Sequence, residues 1–299
     1  MTMDRRTFLT ATACLAALGL YPAGAVATKP FASDRISVIT EGEGPDVVLV
    51  HGLSSSRDIW RGTVAAVPGY RYHFVQIAGF AGTPARGNGG DGPLIAPVAE
   101  EIARYIAEAR LDRPALIGHS MGGTIVMMVA ARHPNLLSKV MVVDMLPFMG
   151  MLFGPPGTTA ASLQPVAEQT RARMAARQGD ELRTAIEGAI ATMVRTESLR
   201  AEPVRHGLES DTSVSARGMR DLIVTDLRPD LKAIAAPMTV LYVRAPNLPL
   251  TDEQMDAVYA ISFANAPRAT LKHIRDSYHF IMLDQPALFA DEVRTFLAR

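Results

Sequence analysis

The sequence predicts an α/β fold: a mostly parallel central sheet flanked by helices, with further helices inserted between two of its strands. Three observations predict it. Strand and helix candidates alternate along the chain, the order that builds a parallel sheet. The strand candidates are short and apolar at nearly every residue, as strands buried on both faces must be. One of them, residues 115–117, runs straight into Gly118-His119-Ser120-Met121-Gly122, and an apolar helix pattern runs out over 123–131.

Each element follows from its residues. Residues 35–41 alternate Ile36, Val38 and Thr40, the pattern of an early antiparallel strand, and 42–46 then turn. Residues 47–50 are a fully apolar strand. A helix is expected over 57–67, a strand over 73–77. Ile95, Val98, Ala99, Ile102, Ile106 and Ala109 recur on one face of a helix between 94 and 110. Asp112-Arg113-Pro114 turns the chain into the strand before Ser120. His133-Pro134 stops the following helix, and 139–143 is the next buried strand. Between 146 and 232 no strand is convincing. An apolar cluster (Met145, Phe148, Met149, Met151, Phe153) is followed by Gly154-Pro155-Pro156-Gly157 and by helical patterns over 163–178, 181–194 and 213–227. The sheet resumes with 238–243 and 270–273, and a helix over 286–297 closes the chain.

The N-terminus reads as a processing segment. Arg5-Arg6 precedes the apolar run 8–20, diluted by Thr10, Thr12 and Gly19. That run is shorter than the roughly 17–25 residues of a membrane-spanning helix and has the length of a signal-peptide h-region. Ala25-Val26-Ala27 supplies a small-residue cleavage site. The segment resembles a bacterial twin-arginine export signal, which implies a periplasmic or secreted protein starting at Thr28, transient contact with the export machinery and no stable membrane span after cleavage. The single cysteine, Cys14, lies inside this segment, so the mature chain carries no disulfide. Thirty basic and thirty acidic residues cancel to zero formal charge, which argues against nucleic acid or an anionic membrane as the main partner.

The chemistry concentrates at Ser120. In a tight strand–turn–helix the serine hydroxyl is pushed out at the strand's end, and the small residues Gly118 and Gly122 let the backbone pass close to its neighbours. The N–H of Met121 opens the helix, where it can stabilise a developing oxyanion. A serine so placed needs a base. Seven histidines compete. His119 is inside the turn and is expected to point away from the chemistry. His133 ends a helix, and His73, His206 and His273 have no motif around them.

With these residues in view, the mature chain resembles an α/β-hydrolase-fold protein with a helical cap. The resemblance rests on Val47-Val48-Leu49-Val50-His51-Gly52-Leu53, on the G-x-S-x-G turn, and on Asp276-Ser277-Tyr278-His279-Phe280 followed by Leu283-Asp284-Gln285-Pro286. It implies His279 as general base and His51-Gly52-Leu53 as the oxyanion loop, with the Leu53 N–H as second donor. His51 is expected to brace that loop by hydrogen bonds. It also implies that Gly79-Phe80-Ala81-Gly82 lines the site mouth.

The third member is open. The resemblance places the acid just after the strand that follows the cap, but residues 241–249 contain no carboxylate. Asn247 stands roughly there and could orient the histidine without charge. Asp252 is the nearest acid, yet Thr251-Asp252-Glu253 reads as a helix start. Asp144, which ends the strand before the cap, is the preferred candidate. The expected organisation is a signal peptide (1–27), core (28–145), helical cap (146–232) and core (233–299).

The expected function is a serine hydrolase of carboxylic esters with catalytic Ser120, His279 and Asp144, oxyanion donors Leu53 and Met121, and a small apolar ester as substrate. No cofactor or metal motif is present in the sequence. A carbon–carbon hydrolase using the same triad is the alternative, which a cationic pocket from Arg57, Arg61 or Arg244 would favour. A non-catalytic binding protein of this fold is the other.

Overall fold

The computed structural model describes residues 31–155 and 157–298. The expected export signal, 1–27 with Arg5, Arg6 and Cys14, lies outside the described residues. Seven strands form one sheet in the order β1-β3-β2-β4-β5-β6-β7: β1 Ile36–Glu41, β2 Asp46–Val50, β3 Arg71–Ile77, β4 Ala115–His119, β5 Lys139–Val143, β6 Met238–Tyr242 and β7 Ala269–His273. β1 is antiparallel to β3, and every other pairing is parallel. This is the mostly parallel sheet that the apolar strand runs predict.

The helices are α1 Arg61–Ala66, α2 Ile95–Glu108, α3 Met121–Arg132, α4 Gln164–Ala176, α5 Gly179–Met193, α6 Ala201–Glu209, α7 Thr212–Val224, α8 Asp252–Ser262, α9 Ile281–Asp284 and α10 Pro286–Ala298. Both sheet faces are covered. On one, Val48, Val50, Leu116, Val140 and Val142 pack with residues of α2 and α3. On the other, Val47, Leu49, Ile117, Met141 and Val143 pack with Trp60 and with Phe289 and Val293 of α10. The two sets alternate along each strand, as the two-residue pleat requires. Because the central strands run parallel, their carboxyl ends share one edge, where ligands bind in open α/β sheets.

Between β5 and β6 the chain supplies α4, α5, α6 and α7. Helix α6 has no clear signature in the sequence, since Pro203 and Gly207 both weaken helix patterning. Pro203 falls in the first turn, where its missing N–H costs nothing. A side chain at Gly207 would meet Ile186 Cγ2 at 2.9 Å, so the glycine allows α6 to approach α5 closely. No helix among the described residues is long and apolar enough to cross a membrane.

Candidate active site

Ser120 joins the end of β4 to α3 with φ 55° and ψ −123°. This left-handed backbone costs a non-glycine residue about 1–3 kcal/mol and persists only where surroundings over-determine it. They do so here. Ser120 N–H donates to Val143 O at 2.9 Å, which ties the turn to β5. A Cβ at Gly118 would lie 2.2 Å from Gly122 O, and one at Gly122 would lie 2.3 Å from Val50 O. Both positions are therefore restricted to glycine by backbone that cannot move aside. Met121 follows as the first residue of α3, where N–H groups lack intrahelical partners.

The loop after β2 meets this turn. A Cβ on Gly52 would fall 2.9 Å from Ser120 Cβ, and Leu53 lines the same cavity as Ser120. His51 is fully buried. Its Nε2 accepts from Ile77 N–H at 3.1 Å, so Nδ1 carries the proton and donates to Gly52 O at 2.8 Å. Burial pushes its pKa down to about 4. Neutral His51 thus bridges the Gly52 loop to β3.

His279 lies in the loop after β7. Its Nδ1 is 2.6 Å from Asp144 Oδ2, which leaves Nε2 free to accept a proton. Asp144, with φ 51°, directly follows β5, and its N–H donates to Leu241 O at 2.7 Å. Its other oxygen, Oδ1, accepts from Val243 N–H at 3.0 Å and from the Tyr259 hydroxyl at 3.2 Å. Three donors therefore hold the carboxylate in one orientation, and charged acceptors make the stronger bonds. Tyr259 was not singled out from the sequence; its only signal there is an aromatic on a helix face. Burial, with the Asp144 charge second, holds its phenol well above the ordinary tyrosine range, so it is a neutral O–H donor. Tyr259 is stacked on Tyr242, with ring centroids 4.0 Å apart.

The other two acid candidates are engaged differently. Asn247 lines the cavity, but the His279 Nδ1 is taken by Asp144. Asp252 sits in the first turn of α8, bonded to Arg244 Nε at 2.6 Å and also paired with Arg275. His119 departs from expectation: it does not point away. Its ring centroid is 4.6 Å from that of His279, and its Nε2–H donates to the His279 carbonyl at 3.0 Å. Packing beneath the loop after β7 explains this, since the end of β4 faces that loop. The remaining histidines pair elsewhere: His73 with Asp46 and Tyr105, His133 with Glu100, His273 with Asp256, while buried His206 lies 3.6 Å from Glu202.

Ser120, Asp144 and His279 line one cavity of about 360 Å³. No hydrogen bond joins Ser120 to His279 in this conformation; such bonds commonly tighten only when substrate is bound. Methionines and aliphatic residues of the inserted helices form much of the wall, among them Met174, Ile186, Ile190, Met193, Met219 and Leu222. The Gly79–Gly82 segment is absent from the lining; it is held instead by Glu209 O and Ser210 Oγ. Arg57, Arg61 and Arg244 are also absent from it, bonded to Ser37, Glu41 and Asp252 respectively. Ser55 Oγ, in the lining, is buried without a partner among the described residues. No group of three potential metal ligands is found among the described residues.

A parallel sheet flanked on both faces, with a strained serine turn at its carboxyl edge, defines the α/β-hydrolase fold. The sequence matches the alpha/beta hydrolase family over residues 47–292, and the chain belongs to that family. It is similar to a pimeloyl-acyl-carrier protein methyl ester esterase of Aeromonas hydrophila subsp. hydrophila, 27% identical over 249 residues that cover 78% of this chain and 92% of the relative. Among solved structures, an esterase from Exiguobacterium antarcticum matches with a TM-score of 0.71 at 20% identity, covering 88% of this chain and 96% of the other. The enol-lactonase from Burkholderia xenovorans LB400 matches with 0.68 at 19%, covering 88% and 96%. At these identities the structural likeness is one of fold. Family and relatives together are those of a hydrolase with esterase kin.

Proposed function

We propose that the protein is a serine hydrolase of carboxylic esters that works through an acyl-enzyme. The observation that carries this reading is the 2.6 Å contact of His279 Nδ1 with Asp144, in the cavity that Ser120 also lines. Ser120 Oγ attacks the ester carbonyl and passes its proton to His279 Nε2. The N–H groups of Leu53 and Met121 hold the tetrahedral oxyanion; each such donor is typically worth about 2.7–4 kcal/mol. Collapse breaks the carbon–oxygen bond, and His279 returns the proton to the departing alcohol. Water, deprotonated by His279, then attacks the acyl group and frees Ser120. Asp144 stabilises the imidazolium at both stages.

The helices between β5 and β6 serve as a cap whose aliphatic wall receives an apolar chain. Their methionines make that wall adaptable. In this reading residues 1–27 direct export, so the enzyme meets its ester in the periplasm or outside the cell. Hydrolysis of a p-nitrophenyl ester series by residues 28–299, with Ser120→Ala in parallel, tests the chemistry. Release of p-nitrophenol that falls to background in the variant supports it, and the best chain length sizes the cavity. Equal rates for the two proteins would refute it.

A further inference from the structure

Arg177 stands apart from the other cations near the site. It lies in the connection between α4 and α5 and lines the cavity that holds Ser120, Asp144 and His279. Its guanidinium carries no hydrogen bond among the described residues. Its only carboxylate neighbour there is Glu181, at 3.9 Å, whose side chain is 76% exposed. Arg171 and Arg220 pair with Glu168 and Arg205 with Glu209, and no other arginine or lysine lines this cavity. Asp144 is the sole carboxylate in the lining, and it is spent on His279, Val243 and Tyr259. The rest of the lining is aliphatic or neutral.

A guanidinium that is 36% exposed and held only by a 3.9 Å contact to Glu181 keeps its planar fork open to a carboxylate or phosphate. We infer that the ester taken by this site carries an anionic group at the far end of its apolar chain, and that Arg177 binds that group. This rests on the reading of Ser120 as the nucleophile. The aliphatic wall formed by α5 accommodates the chain, the carbonyl sits at Ser120, and the anion stays at the half-exposed Arg177. The substrate is then an amphipathic half-ester rather than a neutral one, and the anion fixes which end enters.

Monomethyl half-esters of straight dicarboxylic acids, from succinate to sebacate, and their dimethyl esters test this. Affinity is measured by calorimetry on Ser120→Ala, and turnover on the wild-type chain. At one chain length the half-ester should bind Ser120→Ala more tightly than its diester. Adding Arg177→Gln should weaken the half-ester about tenfold, as expected for loss of a charged hydrogen bond, and leave the diester unchanged. Arg177→Lys should retain part of the preference, and added salt should erode it. Equal binding of half-ester and diester at every length, or an equal loss of both in Arg177→Gln, overturns the inference. If the wild type also turns over diesters through Ser120 in that case, the ester reading stands without the anion site. Arg177-dependent binding of half-esters without any turnover would keep the anion site and sink the ester reading.

Discussion

Asp144 is the most heavily engaged carboxylate of the site. Its carboxylate accepts from the His279 ring, the Val243 N–H and the Tyr259 hydroxyl at once. Removing its charge should therefore cost far more than removing one of its supports. Asp144→Asn should lower kcat by about 10⁴, the scale of an amide replacing a triad acid. Tyr259→Phe keeps the ring stack on Tyr242 and the Val243 donor, and loses one hydrogen bond from a neutral hydroxyl to the charged carboxylate, so about tenfold is expected. Steady-state kinetics on one p-nitrophenyl ester compare the two. A loss below tenfold for Asp144→Asn would remove it as the acid. The sequence narrows the acid to three residues and favours Asp144, but it could not show which of them reaches the histidine. Asp144 and His279 lie 135 positions apart, and only the β5–β6–β7 register brings the end of β5 to the loop after β7. Tyr259 was illegible for the same reason, since its contact is with a residue 115 positions away.

At the scale of elements, the turn at Ser120 was the most legible feature, because its constraints are local. Glycines at 118 and 122, a strand before and a helix after are all visible in the sequence. The structure adds which backbone forbids a side chain there. Gly122→Ala would press a methyl against Val50 O, 2.3 Å away, and strand β2 cannot retreat without leaving its two neighbours. A loss of about 2–4 kcal/mol is expected in urea denaturation; a loss under about 0.5 kcal/mol would mean the turn is looser than described. Helix α8 was equally readable at its start. Thr251 accepts from Gln254 N–H while Gln254 reaches back to Thr251 N–H, closing a capping box, and Asp252 takes the adjoining acidic position. Helix α6 was not readable, because its glycine and proline are explained only by the neighbour they touch.

Across the whole molecule, the alternation of elements made the fold class legible before any coordinate, while strand order needed the sheet itself. Buried histidines give the folded state a pH dependence that the sequence does not display. Burial lowers the pKa of His51 to about 4 from an ordinary 6.5, and burial also lowers His119, His73 and His206. A histidine with a lowered folded pKa binds fewer protons folded than unfolded. Stability is then full above about pH 6.5 and falls as pH drops toward 4. His51 alone is worth about 3 kcal/mol over that window. Urea unfolding at pH 7 and pH 5 should show a loss of a few kcal/mol at the lower pH, and a flat result would mean these rings are not held neutral.

The central claim is that Ser120 is the activated nucleophile of the cavity. Fluorophosphonate labelling of the folded protein, read by intact mass and peptide mapping, tests it most directly. The account predicts a single adduct on the peptide containing Ser120, absent from Ser120→Ala and strongly slowed in His279→Ala. No adduct, or an adduct on another residue while Ser120 stays free, would contradict it.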